Sequence, residues 1–184
     1  ESWDLVIDCI GFERDDAKQD VDVFTKRARQ LIFISTDFVL SPKERPWRVD
    51  ETYSRWNDTP YGTGKRAAEE VLLEYAKRSD ASSMRATILR PCHIYGPDAL
   101  LGCIPKHGRD AQLLDRMKHN EPLTLIGGGF FLQQPIFAAD IWEMAISCLG
   151  NARTHGEIYF ARGPDTIQSW EFYKIIGDII GASI

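Results

Sequence analysis

Three short apolar runs separated by helix-patterned stretches constrain this chain more than any other feature. Leu5-Val6-Ile7-Asp8-Cys9-Ile10, Leu31-Ile32-Phe33-Ile34 and Ala86 to Leu89 are strand-sized and rich in branched residues, as strands buried on both faces are. Between the first two, Ala17, Val21, Phe24 and Ala28 recur at spacings of three and four, which predicts a helix from Asp15 to Gln30. Between the second and third, Ala67, Ala68, Val71, Leu72 and Tyr75 predict another from Tyr61 to Arg78, after a Pro- and charge-rich loop from Ser41 to Pro60. Strand, helix, strand, helix, strand is the order of a parallel sheet built from crossover units. Beyond Pro97 the rhythm loosens. Helices are expected at Arg109–His119, Ala138–Leu149 and Ile167–Ile180, strands at Leu123–Ile126 and Glu157–Ala161, and a turn at Gly127-Gly128-Gly129. Asp140 is read as a cap for the helix that follows it.

The polar residues at the ends of these strands carry the chemistry. Tyr61-Gly62-Thr63-Gly64-Lys65 opens a helix, and the i, i+4 spacing places Tyr61 and Lys65 on one face, a turn apart. A phenol is a poor base at neutral pH, but a neighbouring ammonium favours its ionised form and makes proton exchange with a substrate hydroxyl feasible. Taken alone, the same residues also describe an exposed helix start capped by Asp58 or Thr59. Ser35-Thr36-Asp37 follows the second strand and Arg90-Pro91-Cys92-His93-Ile94-Tyr95-Gly96-Pro97 the third. Ligands of open parallel sheets gather at the carboxyl ends of strands, so the three motifs converge on one crevice.

Together these segments resemble the extended short-chain dehydrogenase/reductases, the NAD-dependent epimerase/dehydratase family, over almost the whole chain. The resemblance implies an α/β fold: a partial doubly wound, Rossmann-like parallel sheet in residues 1–97, and a smaller C-terminal α/β substrate lobe in 98–184 with some elements packing back on the sheet. It implies that Thr36 and Tyr61 act on the substrate oxygen and that Lys65 tunes the tyrosine and holds the nicotinamide ribose. Cys9, Ile10 and Gly11 would pass beside the cofactor, NAD or NADP, and Pro91 and Ile94 would flank the nicotinamide ring. Asp37, His93 and Gln133 are the candidate substrate contacts. Asp37 reads equally as a turn cap, and His93 equally as a polar wall residue.

Three departures bear on the substrate, which the resemblance makes a small sugar-like molecule, nucleotide-linked in much of the family. His93 stands where the family commonly has Asn, and Gln133 where an Arg grips a diphosphate, so a bidentate charged contact is lost. Phe38 replaces the Glu that sugar dehydratases carry beside Asp37, which leaves epimerisation or carbonyl reduction ahead of water elimination. No G-x-G-x-x-G turn joins a strand to a helix in these residues. That turn holds the pyrophosphate in such sheets, so NAD(P) binding by these 184 residues is expected to be weak or absent. The residue that reads the ribose 2′ position belongs to the same region. The first strand is then an edge, open to pairing with another chain, and a homo-oligomer is expected. The alternatives are a non-catalytic binding module, regulatory or RNA-binding, and an inactive fragment.

Composition narrows the alternatives. Net charge is −5, which disfavours a polyanion partner such as nucleic acid. No apolar run approaches the roughly 18 residues a membrane helix needs. Four cysteines lie scattered without a C-x-x-C pair, which fits reduced thiols and a cytoplasmic protein rather than disulfides. Histidine spacing suggests no metal site.

Overall fold

The computed structural model describes residues 1–46, 49–80, 83–103 and 106–182; Trp47–Arg48 of the expected loop and Ile104–Pro105 of the expected lobe fall outside them. In chain order the elements are β1 (Trp3–Asp8), α1 (Arg14–Phe24), β2 (Ala28–Ile34), α2 (Pro60–Arg78), β3 (Arg85–Pro91), β4 (Ile94–Tyr95), α3 (Leu113–Lys118), β5 (Leu132–Gln133), β6 (Ile136–Phe137), α4 (Ala138–Cys148), β7 (Ile158–Ala161), β8 (Ile167–Gln168) and α5 (Ser169–Ile180). They form two compact units, one of Glu1–Cys92 with Asp140–Ala161 and the other of His93–Ala139 with Arg162–Ile184.

The first unit holds a four-stranded sheet, ordered β1-β2-β3-β7 and parallel throughout. β2 is central and its Leu31, Ile32 and Phe33 are wholly buried. Alternation along a strand sends Leu31 and Phe33 to one side, where they join Ala86 and Ile88 of β3, Ala17 of α1, and Ala68 and Leu72 of α2 in one apolar cluster. Burying each large apolar side chain contributes about 1.5–3 kcal/mol, so this layer holds both helices to the sheet.

Local chemistry sets where each helix starts. Asp16 Oδ2 accepts from the Phe12 and Glu13 amides and begins α1. Thr59 caps α2, accepting from the Gly62 amide at 3.2 Å, with Pro60 as its first residue. α1 stops at Phe24, earlier than the apolar spacing predicts, because Ala28, the last residue of that pattern, begins β2 and pairs with Trp3. The two periodicities coincide at Ala28, and sheet pairing decides between them.

The second unit builds on α3, α5 and two short strand pairs, β4·β6 parallel and β5·β8 antiparallel. Cys103, Leu113, Met117, Phe172, Tyr173 and Ile176 form its core. The expected strand at Leu123–Ile126 does not form; Ile126–Gly129 is instead a 3-10 turn with Gly127 and Gly128 at φ 58° and 66°, a backbone region that glycine reaches without steric cost. Asp140 lies inside the first turn of α4, which begins at Ala138, where a carboxylate favours the positive helix end without being the cap.

Candidate active site

The start of α2 is wedged between two loops. A Cβ at Gly62 would lie 2.9 Å from the Phe38 carbonyl oxygen and 2.8 Å from Asn57 Cβ, and one at Gly64 2.9 Å from the Phe12 carbonyl oxygen. The glycines of Tyr-Gly-Thr-Gly-Lys therefore let the helix press against the loop after β1 on one side and the turn after β2 on the other. Lys65 is 4% exposed, and its Nζ donates to Gly11 O at 2.7 Å and Ile34 O at 2.8 Å. It lies 4.7 Å from the Phe33 ring centroid and 5.3 Å from that of Phe12. An ammonium has three donors; two are used by backbone carbonyls, and the third has no protein acceptor among the described residues. Burial pushes the Lys65 ammonium below its ordinary pKa, and Asp8 first, then Cys9, Glu69 and Asp16, act in the opposite direction.

Tyr61, one turn earlier, is 41% exposed. Its ring lies 5.7 Å from Phe12 and 6.3 Å from Phe38, so Phe12 touches both members of the pair. The shared face that the spacing predicts is therefore lined by one aromatic ring, with the phenol outward and the ammonium inward.

Thr36 lies two residues beyond the end of β2 and caps the 3-10 turn Asp37–Val39, its Oγ1 accepting from the Phe38 amide at 3.1 Å. Asp37 is engaged within the same loop: its carboxylate receives Arg45 Nη1 at 2.6 Å, while Arg45 Nη2 donates to the carbonyls of Asp37 and Leu40. Behind this turn, Glu69 receives the Ser35 hydroxyl at 2.6 Å and Arg90 through Nε at 2.9 Å and Nη2 at 2.7 Å. Both side chains of the Glu69–Arg90 pair are 2% exposed. Glu69 lies one turn beyond Lys65 on the same helix face, a spacing visible in consecutive residues, whereas Arg45 sits in an irregular loop with no such pattern.

The loop after β1 is organised by Asp8, whose Oδ1 accepts from the Ile10 and Gly11 amides at 2.8 Å each. A Cβ on Gly11 would fall 2.2 Å from Asp8 Oδ2, so a larger residue there would have to displace the carboxylate that organises the loop. Asp20 of α1 faces this carboxylate. Burial, then the hydrogen bond and charge of Asp8, push its carboxyl up to about 7. Cys9 is exposed, yet partial burial of its thiol and the Asp8 charge raise its pKa.

Pro91 ends β3 opposite Ala161. The first unit thus holds Cys9, Ile10, Gly11, Thr36, Asp37, Tyr61, Lys65 and Pro91. His93, Ile94 and Gln133 belong to the second. There Ile94 pairs with Ile136, the His93 carbonyl accepts from the Ile136 amide, and the His93 ring lies 5.3 Å from Phe172. Gln133 is buried and donates its amide to Cys103 Sγ at 2.9 Å.

Among the described residues no group of three or more His, Cys, Asp or Glu could hold a metal ion, and no helix is long and apolar enough to cross a membrane. A parallel sheet whose strand ends carry a polar turn and a Tyr-Lys helix start defines the Rossmann-like α/β class. The chain belongs to the NAD dependent epimerase/dehydratase family, whose sequence profile matches residues 21–161.

Solved structures agree on the fold. UDP-glucuronic acid 4-epimerase from Bacillus cereus, in complex with UDP-glucuronic acid and NAD, superposes with a TM-score of 0.70 at 21% identity, covering 92% of this chain and 50% of that one. dTDP-glucose 4,6-dehydratase from Bacillus anthracis, in complex with NAD, gives 0.74 at 19% identity, with 97% and 57% covered. An epimerase from Methanothermobacter thermautotrophicus gives 0.74 at 16% identity, with 97% and 57% covered. The chain therefore spans about half the length of these structures. No curated protein sequence matches it significantly.

Proposed function

We propose that this chain supplies the proton-transfer residues of an NAD(P)-dependent enzyme that epimerises or reduces a sugar-like substrate, nucleotide-linked as in much of the family. The observation that carries this reading is Lys65: a buried ammonium held by Gly11 O and Ile34 O, one helical turn from an exposed phenol. Its remaining donor suits a ribose hydroxyl of the cofactor, beside the backbone of Cys9, Ile10 and Gly11. A nicotinamide held there would supply hydride acceptance and return. Tyr61 takes the proton from the substrate hydroxyl, or returns it. Thr36 hydrogen-bonds the same oxygen, its Oγ1 already oriented by the Phe38 amide. Lys65 fixes the loop against which the cofactor would lie, through Gly11 O and Ile34 O.

The family supports a nucleotide-sugar substrate, and Bacillus cereus UDP-glucuronic acid 4-epimerase is solved with one. The inward-turned Gln133 amide favours a substrate that needs no cationic grip at that position. Turnover of UDP- and dTDP-linked sugars, and of their free sugars, with NAD or NADP tests the reading. Tyr61→Phe should lower turnover by about 10²–10⁴-fold, the range that a positioned acid–base supplies; unchanged turnover would sink the proposal.

Two narrower inferences go with it. NAD(P) should bind these 184 residues weakly, because a glycine turn between strand and helix is the usual pyrophosphate site; tight binding by calorimetry would contradict this. β1 lies at the sheet edge, and unpaired edge groups favour strand addition. A dimer in sedimentation at tens of micromolar is therefore expected, and a monomer there would argue against it.

A further inference from the structure

Asn57 is 5% exposed and spends its polar groups on two separate pieces of chain. Its backbone amide donates to Val39 O at 2.9 Å, and its side-chain Nδ2 donates to Phe38 O at 2.8 Å. Its Oδ1 accepts from the Thr59 amide at 3.0 Å. Phe38 and Val39 belong to the 3-10 turn capped by Thr36, while Thr59 caps the helix in which Tyr61 is the second residue. Gly62 closes on the same side chain, since a Cβ there would lie 3.0 Å from Asn57 Cγ.

We infer that Asn57 is a positioning residue that sets the separation between the Thr36 hydroxyl and the Tyr61 phenol, acting as a strut between the turn and the helix start. The inference rests on the proposed roles of Thr36 and Tyr61. Only a side chain with a donor and an acceptor on one short stem serves both ends. An aspartate keeps the acceptor for Thr59 but turns a carboxylate oxygen toward the Phe38 carbonyl; a leucine of similar shape offers neither bond. The surrounding backbone has its own ties, an antiparallel bridge between Leu40 and Trp56 and a 2.8 Å bond from the Ser41 amide to Arg55 O. Loss of the Asn57 side chain therefore leaves the segment in place and frees the geometry at its two ends.

Nuclear magnetic resonance on the 184-residue chain tests this without turnover. In the wild type, the Asn57 side-chain amide protons and the Thr59 amide should exchange slowly, and the Phe38 and Tyr61 rings, 6.3 Å apart, should show mutual cross-peaks. Asn57→Asp should keep Thr59 protected while weakening the Phe38–Tyr61 cross-peaks; Asn57→Leu should lose both, with the Leu31 and Phe33 core signals unchanged. Wild-type exchange as fast as that of exposed amides, or ring cross-peaks unchanged in both folded variants, overturns the inference. With a turned-over substrate, Asn57→Leu should lower kcat by about 10²-fold, the effect of roughly 1 Å misplacement, with KM unchanged; a change in thermal stability alone marks a purely structural residue. Tyr61→Phe separates the two levels. If it leaves turnover intact, the catalytic reading fails and the resonance data still decide the role of Asn57. If it abolishes turnover while Asn57→Leu alters neither kcat nor the cross-peaks, only the positioning role fails.

Discussion

Lys65 and Gly11, 54 residues apart, are joined by a 2.7 Å hydrogen bond from a buried ammonium to a backbone carbonyl. The same nitrogen reaches the end of β2 through Ile34 O, so one side chain fastens the loop after β1 to the strand that precedes Thr36. Lys65→Met keeps the side chain's length and removes its donors. Each carbonyl left unsatisfied costs about 1–3 kcal/mol, partly offset because no charge is then buried. Chemical denaturation should show a folded but less stable chain, and amide exchange should speed up at Ile10 and Gly11, whose loop has lost its anchor.

The Glu69–Arg90 pair should be more costly to break than the surface ion pairs among the described residues. Both partners are almost wholly buried, and Glu69→Gln or Arg90→Met alone strands a charge inside the first unit, at about 3–5 kcal/mol. The double variant should be less destabilised than the sum of the two single changes, as urea titrations of all four proteins would reveal. Simple additivity would mean that the two side chains act independently.

Stability should depend on pH through Asp20. Its carboxyl titrates near 7 in the folded chain against 3.8 for an ordinary aspartate. Above about 3.8 the unfolded chain releases a proton that the folded chain retains, so rising pH favours unfolding until the folded group also ionises. Asp20 thus contributes its full stability below that window and loses it by about pH 7. Asp8 and Asp16 are the charges that raise it. In Asp20→Asn, with no proton to release, the decline across this window should flatten; an identical pH profile in both proteins would contradict the assignment.

Gly64→Ala places a methyl group 2.9 Å from the Phe12 carbonyl oxygen. Backbone cannot step aside as a flexible side chain can, and overpacking of this kind costs about 1–3 kcal/mol. Alanine favours a helix interior over glycine by about 1 kcal/mol, so a fall in Tm here would show that loop contact outweighs helix propensity. A rise in Tm would show the reverse.

How much was legible follows from which interactions are local. β1, β2, β3 and α2 could be read because apolar runs and a Thr-Pro start are written in consecutive residues. The end of α1 was not, since Ala28 satisfies a helical spacing and a strand equally and only its pairing with Trp3 decides. Leu123–Ile126 has strand composition, yet strands need partners, and residues 121–125 form no regular element. At the site, Tyr61 and Lys65 were visible as a spacing and Thr36 as a strand-end hydroxyl. The inward turn of Gln133 depends on Cys103, 30 residues away, and the engagement of Asp37 depends on an arginine in an irregular loop. Neither contact leaves a periodic trace.

The first unit is interrupted by the second: its sheet runs through β1, β2 and β3, but β7, the strand that hydrogen-bonds to β3, comes only after the chain has passed through His93–Ala139. During synthesis, the outer edge of β3 must therefore wait unpaired until Ala161 has left the ribosome. A nascent chain halted shortly before Ile158 would expose that edge to whatever strand it meets first.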